Sequence, residues 1–224
     1  MTSLLARLNP LVLIGIGVAA ALGSPAIRTL PIAVVAVSLW VLAAALTVPS
    51  WKYPAVCLLL VLIPMASVAW STWLLGGRDA EVALVAGLRT FVLAWPGAVA
   101  VGYVDVARLG DYLAQSLKVP GRFAAALSAA LQRVSGSWRT WHDLERTRRA
   151  RGLKVRPWSM AFALLVHTIR EATRTSIAMD ARGFATAHRR TWAEPATWSR
   201  ADVGVLVGAV ILALVPLGMR LMGL

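Results

Sequence analysis

Long runs of apolar residues constrain what this chain can fold into more than any other feature. Three such runs, Leu30 to Val48, Tyr53 to Leu75 and Val82 to Tyr103, have between 19 and 23 residues each. A helix of about 20 residues spans the hydrocarbon core of a bilayer. The whole chain is 58% hydrophobic, with a mean hydropathy of +0.70, far above the usual range of a soluble domain. The sequence therefore predicts an all-α, polytopic membrane protein.

Two further apolar segments are shorter than a standard span. Pro10 to Leu22 has 13 residues, so it either spans with help from its flanks or forms a re-entrant segment. Val203 to Leu217 has 15 residues and is extended by Met219, Leu221 and Met222. Counting both segments, we expect about five transmembrane helices. If the first segment does not span, the N-terminus lies on the other side of the membrane.

Positive charge is concentrated between the apolar segments. The net charge of the chain is +13, and residues 105–200 contain 17 Lys and Arg against 7 Asp and Glu. Such a block is typical of a large cytoplasmic loop, because cytoplasmic loops of membrane proteins are rich in Lys and Arg. We therefore expect N-terminal transmembrane helices in residues 1–104, a cytoplasmic domain in 105–200 and a C-terminal transmembrane helix in 201–224. The N-terminus would then be inside and the C-terminus outside.

The basic block contains three predicted helices. Asp105 to Lys118 is amphipathic, with Val106, Leu109, Leu113 and Leu117 recurring on one face. Two long helices follow, from about Arg122 to Arg151 and from about Trp158 to Arg182. Each has a row of residues at spacings of 3 and 4, typical of two helices packed lengthwise. The rows are Leu127, Leu131, Val134, Trp138, Trp141 and Leu144 in the first helix, and Leu165, Ile169, Ala172, Ser176 and Met179 in the second.

Both long helices end in the same tripeptide, Ala150-Arg151-Gly152 and Ala181-Arg182-Gly183. Glycine suits the left-handed position that ends many helices, and its lack of a side chain lets a partner approach closely. Arginine offers a planar fork of donors for a carboxylate. A continuous second helix of about 25 residues would separate the two arginines by up to about 37 Å. That separation favours two docking points on a two-subunit partner.

Several functions have little support in the sequence. His142, His167 and His188 lie apart without ligand spacing, so we expect no metal site and no catalytic residues. No Walker-type phosphate loop is present, and we expect no cofactor. Nucleic-acid binding is disfavoured because membrane spans flank the basic block. Two alternatives remain: a lipid-binding scaffold without an ATPase partner, and a stand-alone channel or membrane enzyme, for which Arg89 is the one charge inside a span.

The two Ala-Arg-Gly motifs, about thirty residues apart at the ends of long cytoplasmic helices, resemble those of a known family. The family that they resemble is that of the transmembrane T components of energy-coupling-factor (ECF) ABC transporters, also described as the cobalt-type ABC permease family. The resemblance extends over nearly the whole chain, including Asn9-Pro10 and the amphipathic segment that ends Leu117-Lys118-Val119-Pro120. It implies a non-catalytic subunit in a bacterial or archaeal cell membrane. That subunit joins two cytosolic ABC ATPase subunits to one small membrane protein, the S component, which binds a vitamin or a transition-metal ion.

The resemblance also assigns roles to residues. It implies that Arg151 and Arg182 enter grooves on the ATPases and meet acidic residues there, with Ala150, Gly152, Ala181 and Gly183 as small flanking residues. Closure of the ATPases around ATP would shift the two long helices and reorient the S component. The two apolar rows would contact that S component, through Leu127, Leu131, Val134, Trp138, Leu165, Ile169 and Ala172. The choice of substrate would belong to the S component.

Overall fold

The computed structural model describes residues 8–183 and 195–222, and these residues form α-helices and no strand. The predicted all-α fold is therefore confirmed for this part of the chain. The helices are α1 Pro10–Gly23, α2 Leu30–Thr47, α3 Lys52–Leu75, α4 Ala80–Val101, α5 Val106–Ser116, α6 Gly121–Ala150, α7 Pro157–Ala181 and α8 Arg200–Leu221. A short 3-10 turn, Ser24–Ala26, extends α1.

The chain divides into two compact units. The first, which we call the membrane unit, contains residues 8–105 and 197–222 of the described chain. The second, which we call the basic unit, contains residues 106–183 and 195–196. Four helices of the membrane unit, α2, α3, α4 and α8, are long and apolar enough to cross a bilayer. The protein is thus a helical membrane protein. Helix α1 is the shorter apolar segment for which the sequence did not decide between a span and a re-entrant segment.

Helix α1 is largely enclosed by other helices of the membrane unit. It packs against α4 and α8, and Val12, Leu13 and Ala20 are fully buried. Its backbone comes very close to α4, since a Cβ added to Gly17 would lie 3.1 Å from the Cα of Gly97. The apolar character of this segment therefore reflects burial in the centre of the unit as well as the membrane.

Helices α1 and α8 begin side by side and run parallel. The Asp202 carboxylate accepts a hydrogen bond from the Asn9 backbone N–H at 2.7 Å, and a second from the Ser199 N–H at 2.8 Å. At the other end of α1, Gly23 lies so close to α8 that an added Cβ would be 2.4 Å from the Ala213 carbonyl oxygen. One buried carboxylate therefore joins the N-terminal ends of both helices, where the helix dipoles favour negative charge.

The remaining helices alternate in direction. The Trp95 indole N–H donates to the Pro54 carbonyl at 3.3 Å, which places the start of α3 beside the end of α4. Thr47 at the end of α2 and Val205 near the start of α8 line one cavity together with Val99 of α4. The chain therefore leaves the membrane unit after α4 and returns at α8 on the same face of that unit. We call this face the exit face.

The basic unit contains the three helices predicted there, with ends within two residues of the predicted ones. In α5 the buried positions are Leu109, Gly110, Tyr112 and Ala114. Leu117, the last residue of the predicted face, is exposed and follows the end of α5 at Ser116. Gly110 allows close packing on α6, since an added Cβ would lie 1.8 Å from the Ser128 hydroxyl oxygen.

Helices α6 and α7 form an antiparallel hairpin. Arg148, near the end of α6, donates to the Ser159 carbonyl at 3.2 Å near the start of α7. Arg133, in the first half of α6, hydrogen-bonds Thr175 in the last third of α7. The predicted lengthwise packing of the two apolar rows was wrong, because Val134, Trp138, Leu165 and Ile169 are more than half exposed. An open groove lies between the two helices instead, and the small and polar residues that line it include Ala126, Ala129, Ala130, Ala172 and Ser176.

Candidate docking site at two helix ends

The two arginines of the paired motifs have the same backbone geometry. Arg151 has φ −87° and ψ 6° at the end of α6, and Arg182 has φ −88° and ψ 7° at the end of α7. The glycines that follow are both left-handed, with φ 67° at Gly152 and 71° at Gly183. The repeated tripeptide thus corresponds to a repeated local structure.

Backbone hydrogen bonds explain this geometry. The Gly152 N–H donates to the Arg149 carbonyl at 3.0 Å, and the Leu153 N–H donates to the Arg148 carbonyl, also at 3.0 Å. These two bonds define the Schellman motif, in which the residue after the cap is left-handed. The Gly183 N–H makes the corresponding bond to the Asp180 carbonyl at 2.9 Å. A side chain at the left-handed position costs roughly 1–2 kcal/mol, so this geometry favours glycine at both sites. The predicted glycine-ended helices are confirmed.

The guanidinium groups of both motifs are available for a partner. Arg151 and Arg182 are exposed, and the side chain of neither has a hydrogen bond or ion pair with any residue in the described part of the chain. Three other arginines in the last turns of α6 are occupied. Arg146 pairs with Asp143 at 3.8 Å, Arg149 pairs with Glu145 at 2.5 Å, and Arg148 bonds Ser159.

The surroundings of the motifs are open. Ala150 and Ala181 are exposed, and an added Cβ at Gly152 would meet no atom within 4 Å. The small flanking residues leave room for another surface to contact the helix end directly, which lets a partner desolvate the arginine. A desolvated arginine–carboxylate pair discriminates strongly between partners.

The two arginines lie at opposite ends of the hairpin. Arg182 directly follows α7, and Arg151 precedes its first residue by six positions. Since α7 has 25 residues, its length is roughly 37 Å at 1.5 Å per residue. A single small ligand cannot bridge both guanidinium groups over this distance.

An exposed apolar stripe runs along α7. Trp158, Phe162, Leu165 and Ile169 follow at spacings of 4, 3 and 4, and are between 54% and 87% exposed. On α6, Val134 and Trp138 are 67% and 68% exposed, while Leu127 and Leu131 are half-buried. The sequence prediction missed Trp158 and Phe162, although they continue the same spacing. Exposed patches of this kind mark sites of protein or membrane contact.

The described residues away from the two helix ends show no sign of a metal-binding or catalytic cluster. Among the described residues there is no group of three His, Cys, Asp or Glu side chains that could hold a metal ion. The His142 ring packs edge-to-face on Trp138 with centroids 5.0 Å apart, and His188 lies outside the described residues. Arg89 is exposed on the surface of α4 and has no partner in the described residues, so it does not face an internal channel.

Comparison with protein-family models gives no match, and comparison with curated proteins gives none either.

Proposed function

We propose that this chain is the transmembrane energy-coupling subunit, the T component, of an ECF-type ABC importer in a bacterial or archaeal cell membrane. The observation that carries the proposal is the pair of matched helix ends. Two exposed, unpaired arginines share one backbone geometry and lie about one helix length apart. A partner with two similar subunits, each presenting an acidic groove, fits that arrangement.

Each helix end would dock one cytosolic ATPase. The arginine fork pairs bidentately with a carboxylate, and the neighbouring glycine and alanine let the ATPase surface approach closely. The identical backbone at Arg151 and Arg182 allows two similar grooves to bind in the same way. In this role the chain itself is not an enzyme and binds no cofactor, since the ATPases supply the nucleotide chemistry.

Coupling would run through the hairpin. When the two ATPases close around ATP, the two helix ends are drawn with them, and α6 and α7 shift. Hydrogen bonds from Arg133 and Arg148 link these helices, and an open groove lined by small and polar side chains lies between them, so the pair interlocks little. The exposed stripe, together with Val134 and Trp138, would contact the S component and reorient it, releasing a vitamin or a transition-metal ion inside the cell.

The membrane topology belongs to the same proposal. Because α1 and α8 run parallel from the Asp202 carboxylate, both cross in the same direction, which gives five spans in all. The exit face would be cytoplasmic, since the basic unit leaves and returns there. The N-terminus is then inside and the C-terminus outside.

A stand-alone channel finds less support. The cavity between α1, α2, α4 and α8 is lined almost wholly by apolar groups, with Trp40, Ala43, Val99 and Leu212 among them. Such a lining offers a polar solute no replacement for its hydration. A purely lipid-binding scaffold explains basic residues in general, but it does not explain why two of them share one helix-end geometry.

Affinity purification of the intact chain from its own membranes tests the proposal. We expect two ATPase chains and one small membrane protein for each copy, in amounts that native mass spectrometry can count. Recovery of the chain without any nucleotide-binding subunit, from membranes in which ATPases are expressed, would overturn the proposal.

A further inference from the structure

A groove between α1 and α8 combines an apolar lining with two arginines. It encloses about 380 Å³ at the end of the membrane unit opposite the exit face. Its apolar wall includes Leu22, Val210, Leu214 and Leu217, whose side chains are between 41% and 77% exposed. Exposed leucines on a bilayer-length helix face lipid, so the groove opens to the hydrocarbon of the membrane.

Arg28 and Arg220 line the same groove. Both side chains are exposed, and neither has a hydrogen bond or ion pair with the described residues. Arg28 lies in the turn between α1 and α2, and Arg220 lies in the last turn of α8. The two charges therefore stand at one membrane boundary, with an apolar channel leading away from them toward the bilayer centre.

Helix stability does not account for this arrangement. Arg220 complements the dipole of α8, because positive charge is favourable at a helix C-terminus. Arg28 is placed unfavourably by the same rule, since it precedes the N-terminal residue of α2, Leu30, by two positions. The pair also lies on the face that would be outside the cell, where positive charge is not needed to orient the protein.

We propose that this groove binds one anionic phospholipid. The phosphate would pair with the two guanidinium groups, for which arginine is well suited geometrically. One acyl chain would lie between Leu22 of α1 and Leu214 and Leu217 of α8. Charge complementarity selects an anionic headgroup, and the apolar wall selects a lipid over a free phosphate ion.

Native mass spectrometry of the purified full-length chain tests this site with phosphatidylglycerol, phosphatidylcholine of the same acyl chains, and inorganic phosphate as probes. We expect one phosphatidylglycerol bound in preference to phosphatidylcholine, and no binding of inorganic phosphate at equal concentration. Arg28→Gln and Arg220→Gln should each weaken phosphatidylglycerol binding about fivefold, and the double variant about thirtyfold. Arg78→Gln is the matched control, because Arg78 is exposed, lies on the same face and is not part of the groove.

A second variant tests the apolar wall without altering charge. Leu214→Trp should fill the groove and reduce phosphatidylglycerol binding while Arg28 and Arg220 remain. Equal binding of the two lipids to the wild-type chain would overturn the proposal whatever the variants do. Equal binding of inorganic phosphate would also overturn it. The same holds if a co-purified polypeptide, and no lipid, covers both arginines in lipid-free detergent.

Discussion

The backbones of Arg151 and Arg182 agree within one degree in both φ and ψ, although the two residues end different helices. The preceding sequences of α6 and α7 have little in common beyond the final Ala-Arg-Gly. The match therefore comes from the tripeptide itself, because alanine continues the helix and glycine permits the left-handed turn that ends it. Two sites built in the same way suit two copies of one partner or two closely related partners.

Gly152→Ala should destabilise the end of α6. The glycine has φ 67°, and an alanine there costs roughly 1 kcal/mol in backbone strain. Because no atom lies within 4 Å of the added methyl group, strain is the only expected effect within the chain. Thermal unfolding of the variant should show a lower midpoint, and docking of an ATPase should weaken further because the methyl group enters the contact.

Gly136→Ala is the control for this experiment. It lies inside α6, and an added Cβ there also meets no atom within 4 Å. Since alanine is favoured over glycine in a helix by about 1 kcal/mol, this variant should leave stability unchanged or raise it. If Gly152→Ala behaved like Gly136→Ala, the left-handed helix end would not be needed in the folded protein.

Asp202→Asn should destabilise the membrane unit. Asp202 is 3% exposed, and its carboxylate accepts hydrogen bonds from the Asn9 and Ser199 N–H groups. The neutral amide lacks the negative charge that both helix N-termini favour, and it replaces one hydrogen-bond acceptor with a donor. The free energy of unfolding should fall by about 1–3 kcal/mol. The midpoint of thermal unfolding in detergent measures this loss. Asp143→Asn, at an exposed pair on α6, should change the midpoint little.

The Asp202 contact shows where sequence reasoning stops. Helix lengths and the Arg-Gly ends follow from local patterns, so the sequence predicted them. The hydrogen bond between Asp202 and Asn9 joins residues 193 positions apart, and no local pattern indicates it. Nor does apolar length reveal that the 14 residues of α1 run in the same direction as α8, because that depends on packing in three dimensions.

The proposed topology predicts which positions face the outside. A cysteine at Ala80, an exposed residue at the start of α4, should react in whole cells with a reagent that cannot cross the membrane. A cysteine at Ser50, in the turn before α3, should react only after the cells are opened. The native Cys57 is buried and provides a low background.

An epitope tag before Met1 extends this test to α1. If α1 crosses the membrane in the direction of α8, the tag is on the same side as Ser50 and is hidden in intact cells. Detection of the tag from outside would show that α1 does not cross, and the five-span arrangement would be wrong.

Charges placed on the exposed stripe of α7 should remove the S component and leave the ATPases bound. Leu165→Glu with Ile169→Glu places two charges on side chains that are 54% and 57% exposed, so folding should be little affected. Contact with the S component should be lost, while both ATPases remain bound at the helix ends. Quantitative mass spectrometry of the purified complex measures both. Thr173→Glu, at an exposed polar position of α7, is the control and should retain every partner.

Residue spacing predicted the apolar rows, but it could not predict which surface contacts them. A spacing of 3 and 4 identifies a face of a helix without stating what covers it. In the hairpin, hydrogen bonds from Arg133 and Arg148 join α6 to α7, and an open groove lined by small residues lies between them. The large residues are left exposed as a result. A row whose spacing is typical of packing within a chain is therefore available to another protein.

Charge reversal at the two helix ends tests whether Arg151 and Arg182 dock the ATPases. Arg151→Glu with Arg182→Glu should insert at the wild-type level and lose both ATPase subunits on affinity purification, because each carboxylate would face acidic residues. A single Arg→Ala change should weaken docking by about 2–5 kcal/mol. The control, Arg139→Glu with Arg170→Glu, makes the same change of net charge at exposed positions on the same two helices. It should retain both ATPases. Two ATPases bound to the Arg151→Glu, Arg182→Glu protein at the wild-type level would contradict the account.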